Sequence, residues 1–264
     1  MPPLIDWDRL TSFVAKEAKT RGRPDRSTVV LDGLKGIAQQ AGDFSCNRQM
    51  LVKIAKVLFS DQPVLIAPCC PDYGNRDGRY TFKGLGGGVS LLAQKQIAFL
   101  DLVCAAIPKI SIMLMMADHE ADDEEICRAV KTPRADFLKL IDQSIEATRA
   151  VVAPRGWQVE CMTHVIKGLV AREQEAACWI AGQDGFRCRL TLDTINRSQM
   201  YRNINASLTK EEMLQRTIRT AAQYVALGRY ATEQEWLVCN HTTVNLSWYL
   251  QVQTAVLHNP VCVY

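Results

Sequence analysis

The chain is expected to fold as an α/β protein, with a parallel β-sheet covered by helices on both faces. Three observations predict this. Short, unbroken apolar runs recur at 63–68 ("PVLIAP"), 109–117 ("KISIMLMMA"), 157–165 and 235–241, as in strands covered on both sides. Segments with apolar residues at helical spacing separate them, and such alternation marks a helix-wrapped parallel sheet, a Rossmann-like arrangement. The third observation is size: 264 residues, 48% hydrophobic and 22% charged, suffice to bury one large core. We expect one α/β domain over 1–264, with 1–60 as an N-terminal helical segment packed on it.

Residues 6–19 read as a helix with Trp7, Leu10, Phe13 and Val14 inward, and 19–26 ("KTRGRPDR") as a solvated loop. A helix over 47–59 carries Leu51, Ile54, Ala55 and Leu58 at helical spacing. The first strand, 63–68, runs into "CCPDYGNRDG", a turn rich in Pro, Gly, Asn and Asp. Four glycines at 84–88 then precede a helix over 89–106. The second strand ends abruptly in acid at "ADHEADDEE". Thr132 and Pro133 supply an N-cap and a first-turn proline for a helix burying Phe137, Leu140, Ile141, Ile145 and Thr148. A third strand, 157–165, leads into another helix. Thr209 and Glu212 form a capping box, with Leu208 and Met213 as its staple. That helix buries Leu214, Ile218, Ala221 and Val225, and the last strand, 235–241, is followed by a turn and "NLSWYLQVQTAVL".

Composition narrows the function classes. The longest apolar run, 110–117, is far short of the roughly 20 residues that cross a bilayer, so no membrane partner is expected. The opening "MPPLIDWDRL" has charges where a secretory signal is apolar. Ten scattered cysteines without a C-x-x-C pair argue against a zinc site and for a reducing, cytoplasmic setting. The net charge of +3 permits a nucleic-acid partner without demanding one. There are no internal repeats and no low-complexity linker.

In a parallel sheet the ligand lies at the carboxyl ends of the strands. Three such ends are chemically loaded: "CCPDYG", "ADHEADD" and "NHTT". Cys69 and Cys70 close the first strand, and only one of them can point into a cleft, because strand neighbours face opposite ways. Either is a candidate nucleophile or a buried inert thiol. Asp72 and Tyr73 in the same turn are candidate substrate contacts. The glycine stretch lacks the Lys-Ser/Thr ending of a P-loop, and Val89 breaks a dinucleotide fingerprint. Gly86 and Gly87 therefore mark a tight turn, or backbone against which a substrate lies. Ser90 is an N-cap or a nucleophile. Asp118, His119 and Glu120 leave a buried strand, where charge calls for a cationic partner; a guanidinium or a divalent metal would suit them, and solvated capping acids are the plain alternative. Asn240 and His241 end the last strand, and Tyr224 on the preceding helix can deliver its hydroxyl to the same space.

Over residues 60–255 these segments resemble the cyclodipeptide synthases, relatives of the class I aminoacyl-tRNA synthetase catalytic domain. The resemblance rests on "GGGVSLLAQKQIAFL", "ISIMLMMADHEADDEEICRAV", "RADFLKLIDQSIEATRAVV" and "EWLVCNHTTVNLSWYL". It implies a catalytic tyrosine at Tyr224 and a nucleophile near Cys69 or Ser90, with Gly228 standing where the family has a glutamate and Asn240 where it has a tyrosine. The activity it implies is transfer of aminoacyl groups from two charged tRNAs to give a diketopiperazine, with no cofactor, metal or ATP. The acidic cluster fits the divergent branch that makes arginine-containing products, which points to arginyl-tRNA as one partner. Two other readings remain: isonitrile synthesis on an amino acid, and a non-catalytic RNA- or nucleotide-binding module on the same sheet.

Overall fold

The computed structural model describes residues 5–40, 48–72, 84–107, 109–200, 209–240 and 244–259. Three helices open the chain: α1 (Trp7–Thr20), α2 (Arg26–Gln40) and α3 (Arg48–Leu58). They are followed by β1 (Val64–Cys69), α4 (Leu91–Ala106) and β2 (Ser111–Met116). A 3₁₀ turn over Asp118–Asp122 leads to α5 (Glu124–Ala129), α6 (Arg134–Val152) and β3 (Gln158–Cys161). Then come α7 (Met162–Val165), α8 (Leu169–Ala181), α9 (Arg187–Met200) and α10 (Lys210–Glu233). The described chain closes with β4 (Leu237–Asn240), α11 (Val244–Gln253) and β5 (Ala255–His258).

The five strands form one all-parallel sheet in the order β3-β2-β1-β4-β5. This is the α/β, Rossmann-like class the alternating apolar runs predict. The order reverses between β1 and β4, so right-handed crossovers put α4 and α6 on one face and α11 on the other. Edge strand β3 leaves its outer carbonyls unpaired by the ladder, and Arg149 of α6 donates to Val159 O through Nε (3.1 Å) and Nη2 (2.9 Å).

One apolar core joins the sheet to α1–α4 and α6, including Leu10, Val14, Leu51, Ile54, Leu65, Leu114 and Phe137. A second cluster lies among α8, α9, α10 and α11, around Ile180, Phe186, Val225 and Tyr249. The N-terminal helices thus contribute directly to the sheet's own core. Helix α1 is capped by Asp6, which accepts from Arg9 N, and the Thr209–Glu212 capping box opens α10 as expected. The staple residue Leu208 lies outside the described residues.

Several boundaries differ from the sequence expectation. The basic stretch after α1 is more than a solvated loop. Arg23 donates to Phe59 O (2.9 Å) and Arg26 to Leu58 O (3.0 Å), and both pair with Asp61, closing the C-terminus of α3. Pro133, not Thr132, is the N-cap of α6, and the Thr132 hydroxyl donates to Val130 O instead. Helix α2 and strand β5 were not foreseen.

Gly228 has a packing reason. A Cβ there would lie 2.8 Å from Gln253 Cβ and 3.3 Å from Leu250 O, both from the α11 segment. Any side chain here forces the two helices apart, and a glutamate would do so more than an alanine. Gly228→Ala is expected to cost about 1–3 kcal/mol through overpacking, lowering the melting temperature by several degrees. An unchanged thermal unfolding curve would show that the helices have room to part.

Candidate functional site

Because every strand runs the same way, all five carboxyl ends meet one rim. The hydrogen bonds at strand ends make this concrete. Ala117 N donates to Cys69 O (3.0 Å), joining the ends of β2 and β1, and Asn259 N donates to Asn240 O (2.9 Å), joining β5 to β4. The segments that carry Cys69–Cys70, Asp118–Glu120 and Asn240 thus share this rim. Tyr73 and His241 lie outside the described residues.

At the reversal point between β1 and β4, where doubly wound sheets usually receive their ligand, the floor is filled. Gln96 of α4, fully buried, donates to Cys239 O (3.0 Å) and reaches Pro68 O (3.5 Å). Its Oε1 accepts from Asn259 Nδ2 (2.8 Å) and from the Cys239 thiol (3.4 Å). Asn240, 0% exposed, belongs to this buried layer. Its side chain is part of the scaffold and not of an open cleft, which revises the expectation of a catalytic role.

The three candidate nucleophiles now differ. Cys69 is 1% exposed and its thiol donates to Ala67 O at 3.6 Å. Ser90, 4% exposed, accepts from Ala93 N at 3.0 Å and is the N-cap of α4, so of its two readings the cap is the one observed. Cys70 is half-buried, one residue beyond the end of β1. At the end of β3, burial and then the charge of Asp118 push the Cys161 thiol up to about 11, which keeps it protonated and inert at neutral pH.

The glycine turn is packed by the protein's own side chains. Gly86 N donates to Asp72 O (2.7 Å), and a Cβ on Gly86 would meet Asp72 Oδ2 at 2.5 Å. A Cβ on Gly87 would meet Gln143 Cβ at 2.9 Å, and Ser144 Oγ donates to Gly86 O at 3.3 Å. Glycine at both positions thus admits Asp72 and α6, which accounts for the tight turn, and both remain half-buried at the surface.

Much of the acidic segment is internally paired. Asp118, 9% exposed, accepts from Thr163 N (3.0 Å) and from the Thr163 hydroxyl, pinning the end of β2 to α7. Asp122 pairs with Arg134 (2.6 Å) and Asp123 with Arg216 of α10 (3.2 Å). Among the described residues no group of three or more His, Cys, Asp or Glu is arranged to hold a metal ion. Glu120 is half-buried on the same turn.

A polar cluster that sequence reasoning missed surrounds His119. Arg216, Arg219 and Gln223 recur at i, i+3 and i+7 on one face of α10, which turns toward the end of β2. The Gln223 side chain reaches the His119 ring, whose Nδ1 is buried with no hydrogen-bond partner among the described residues. Burial holds the His119 imidazole below its ordinary pKa; Asp118 opposes this and Arg219 adds to it. Glu173 of α8 feels the same guanidinium, but burial prevails and pushes its carboxyl up to about 7. Tyr224, next to Gln223, is half-buried against both apolar clusters. Around His119 the end of β2 thus combines an imidazole held below its ordinary pKa with the Arg219 guanidinium and the Gln223 amide.

One open groove of about 560 Å³ lies elsewhere, at the amino ends of β1 and β4, between Arg21, Arg23, Phe59, Asp61 and Glu235. Arg21 and Arg23 are already paired there, with Glu17 and Asp61. No described helix is long and apolar enough to cross a membrane. Comparison with family models, with curated proteins and with solved structures found no match for this chain.

Proposed function

We propose that this chain joins two aminoacyl groups, delivered as esters of tRNA, into a cyclic dipeptide, one of the two being arginyl. The observation that carries the reading is the composition of one rim. A half-buried thiol, Cys70, follows β1, and the Asp118–Glu120 segment follows β2 beside the Gln223–Tyr224 turn of α10.

The Cys70 sulfur attacks the ester carbonyl; the S–C bond forms, the C–O bond to the tRNA breaks, and the thiol proton leaves on the 3′-hydroxyl. The α-amine of a second charged tRNA attacks the thioester, forming the first peptide bond and restoring the thiol. The free amine of the resulting dipeptidyl ester then attacks its own carbonyl, closing the ring and releasing the second tRNA. No ATP enters, because each ester arrives activated. Tyr224 orients the amine and relays protons. Glu120 receives the guanidinium of the arginyl group, with Asp118, held by Thr163, adding negative charge nearby.

The test is direct. The protein is incubated with labelled arginyl-tRNA and other charged tRNAs without ATP, and products are read by mass spectrometry. An arginine-containing diketopiperazine is expected. Product formed only from a free amino acid and a pentose phosphate indicates isonitrile synthesis. Tight RNA retention without product indicates a binding module. Glu120→Gln is expected to raise the KM for arginyl-tRNA roughly tenfold to a hundredfold, as for a lost charged hydrogen bond. An unchanged preference for arginine removes Glu120 from the pocket.

A further inference from the structure

The groove of about 560 Å³ at the amino ends of β1 and β4 has a volume within the range of small-molecule sites. The two strands pair in parallel, with Leu65 beside Leu237. The segments that lead into them, 59–62 and Glu235, therefore meet side by side and line one space. The turn between α1 and α2 brings Arg21 and Arg23 to the same space. Two guanidinium groups and a carboxylate thus face one groove.

Each guanidinium is fixed by neighbours yet keeps free donors. Arg21 donates through Nε to Glu17 (2.8 Å), and its guanidinium lies 5.6 Å from the centre of the Phe59 ring. Arg23 uses only Nη1, which donates to Phe59 O (2.9 Å) and to Asp61 (2.8 Å). Nη1 and Nη2 of Arg21, and Nε and Nη2 of Arg23, bond to no described residue. Asp61 is held by Arg23 and by Arg26 (2.9 Å). Glu235, by contrast, is exposed and its carboxylate pairs with no described residue. Its backbone is also unusual. It follows the last turn of α10 at φ 55°, and Trp236 N closes that turn on Ala231 O (2.7 Å). Glycine is the ordinary residue at such a helix end, so a glutamate there carries strain that glycine would avoid.

We propose that this groove binds a free α-amino acid as its zwitterion, with the carboxylate on Arg21 and Arg23 and the ammonium on Glu235. A guanidinium edge offers two parallel N–H groups that match the two oxygens of a carboxylate. Guanidinium groups already held by neighbours lose little freedom on binding, so the ordering cost is small. A simple anion would be repelled by Glu235 and Asp61, and a simple cation by the two arginines. A ligand carrying both signs satisfies both. Ser60 and Gln62 complete the lining, which suits a small polar side chain. The groove lies at the other end of the strands from the rim, so binding here is independent of acyl transfer there.

The experiment is calorimetric titration of the full chain with L-serine and with L-glutamine. Each is compared with its N-acetyl form, which lacks the ammonium, with its α-amide, which lacks the carboxylate, and with inorganic phosphate. At least one of the two amino acids is expected to bind at millimolar concentration or below. Both blocked forms are expected to bind more weakly by roughly tenfold or more, as for loss of a charged hydrogen bond. Arg21→Gln and Glu235→Gly are expected to weaken binding by a similar factor. Glu235→Gly also separates recognition from folding: glycine relieves the left-handed backbone, so the melting temperature is expected to hold or rise while the ligand is lost. Blocked forms that bind as well as their parents overturn the inference, and so does wild-type affinity in either variant. Phosphate bound more tightly than both amino acids marks a plain anion site and overturns it. Binding of neither amino acid overturns it as well.

Discussion

Cys70→Ala is expected to reduce diketopiperazine formation by roughly three orders of magnitude without altering the fold, because in the proposed reaction its sulfur carries the first acyl group. The contrast with its neighbour gives the experiment its force. Cys69 is 1% exposed and its thiol is turned to Ala67 O, so Cys69→Ala is expected to leave the rate within a few-fold of wild type while costing a little stability. Product formation by both variants at the wild-type rate would remove covalent catalysis by this pair. Loss in Cys69→Ala with retention in Cys70→Ala would show that the strand end is turned the other way. Steady-state rates with charged tRNA, beside far-UV circular dichroism, make the comparison.

Gln96→Leu is expected to cost about 3 kcal/mol, a drop of roughly 6–12 °C in melting temperature for a chain of this size. The side chain is fully buried and is shared among Cys239, Pro68 and Asn259. Leucine matches its volume but bonds to none of them. This amide fills the floor between β1 and β4, so the site proposed above is expected on the β1–β2 side of the rim. A leucine variant as stable as wild type would mean that the network contributes nothing net to the fold.

The strands were legible where apolar runs were long and bounded by turn residues. "PVLIAP" and "ISIMLMM" announce buried strands, and both central strands lie where those runs fall. Strand β5 escaped because "TAVLH" follows α11 almost without a break, and its four residues read as the helix's last turn. Helix α2 escaped for a different reason. Gly33 and Gly36 weaken its helical pattern, yet a Cβ on Gly36 would lie 2.7 Å from Ala106 Cβ, so glycine is what lets α2 lie against α4.

The site was legible in outline and misleading in detail. Parallel strands force their carboxyl ends onto one rim, so the sequence alone groups the loaded segments. Which side chains are spent on scaffold could not be read in advance. Asp118 and Ser90 carry functional-looking chemistry but hold Thr163 and the start of α4. Asn240 is sealed in the core. Glu173 was hidden in another way: flanked by Arg172, Gln174 and Glu175 it looks like one more surface charge, yet its Oε1 is buried. Only the packing of α8 on α10 separates it from them, and Leu169, Ala176 and Ile180 are the sequence signal that would have found it.

The central claim is that acyl transfer occurs on the rim where β1 and β2 end. Its most direct measurement is to mix the protein with arginyl-tRNA alone, quench with acid, digest and map the acyl group by peptide mass spectrometry. The account predicts one arginyl group in thioester linkage on the peptide containing Cys70, absent from Cys70→Ala. An arginyl group carried on any other peptide, or product formed with no enzyme-bound acyl group at any time, would contradict it.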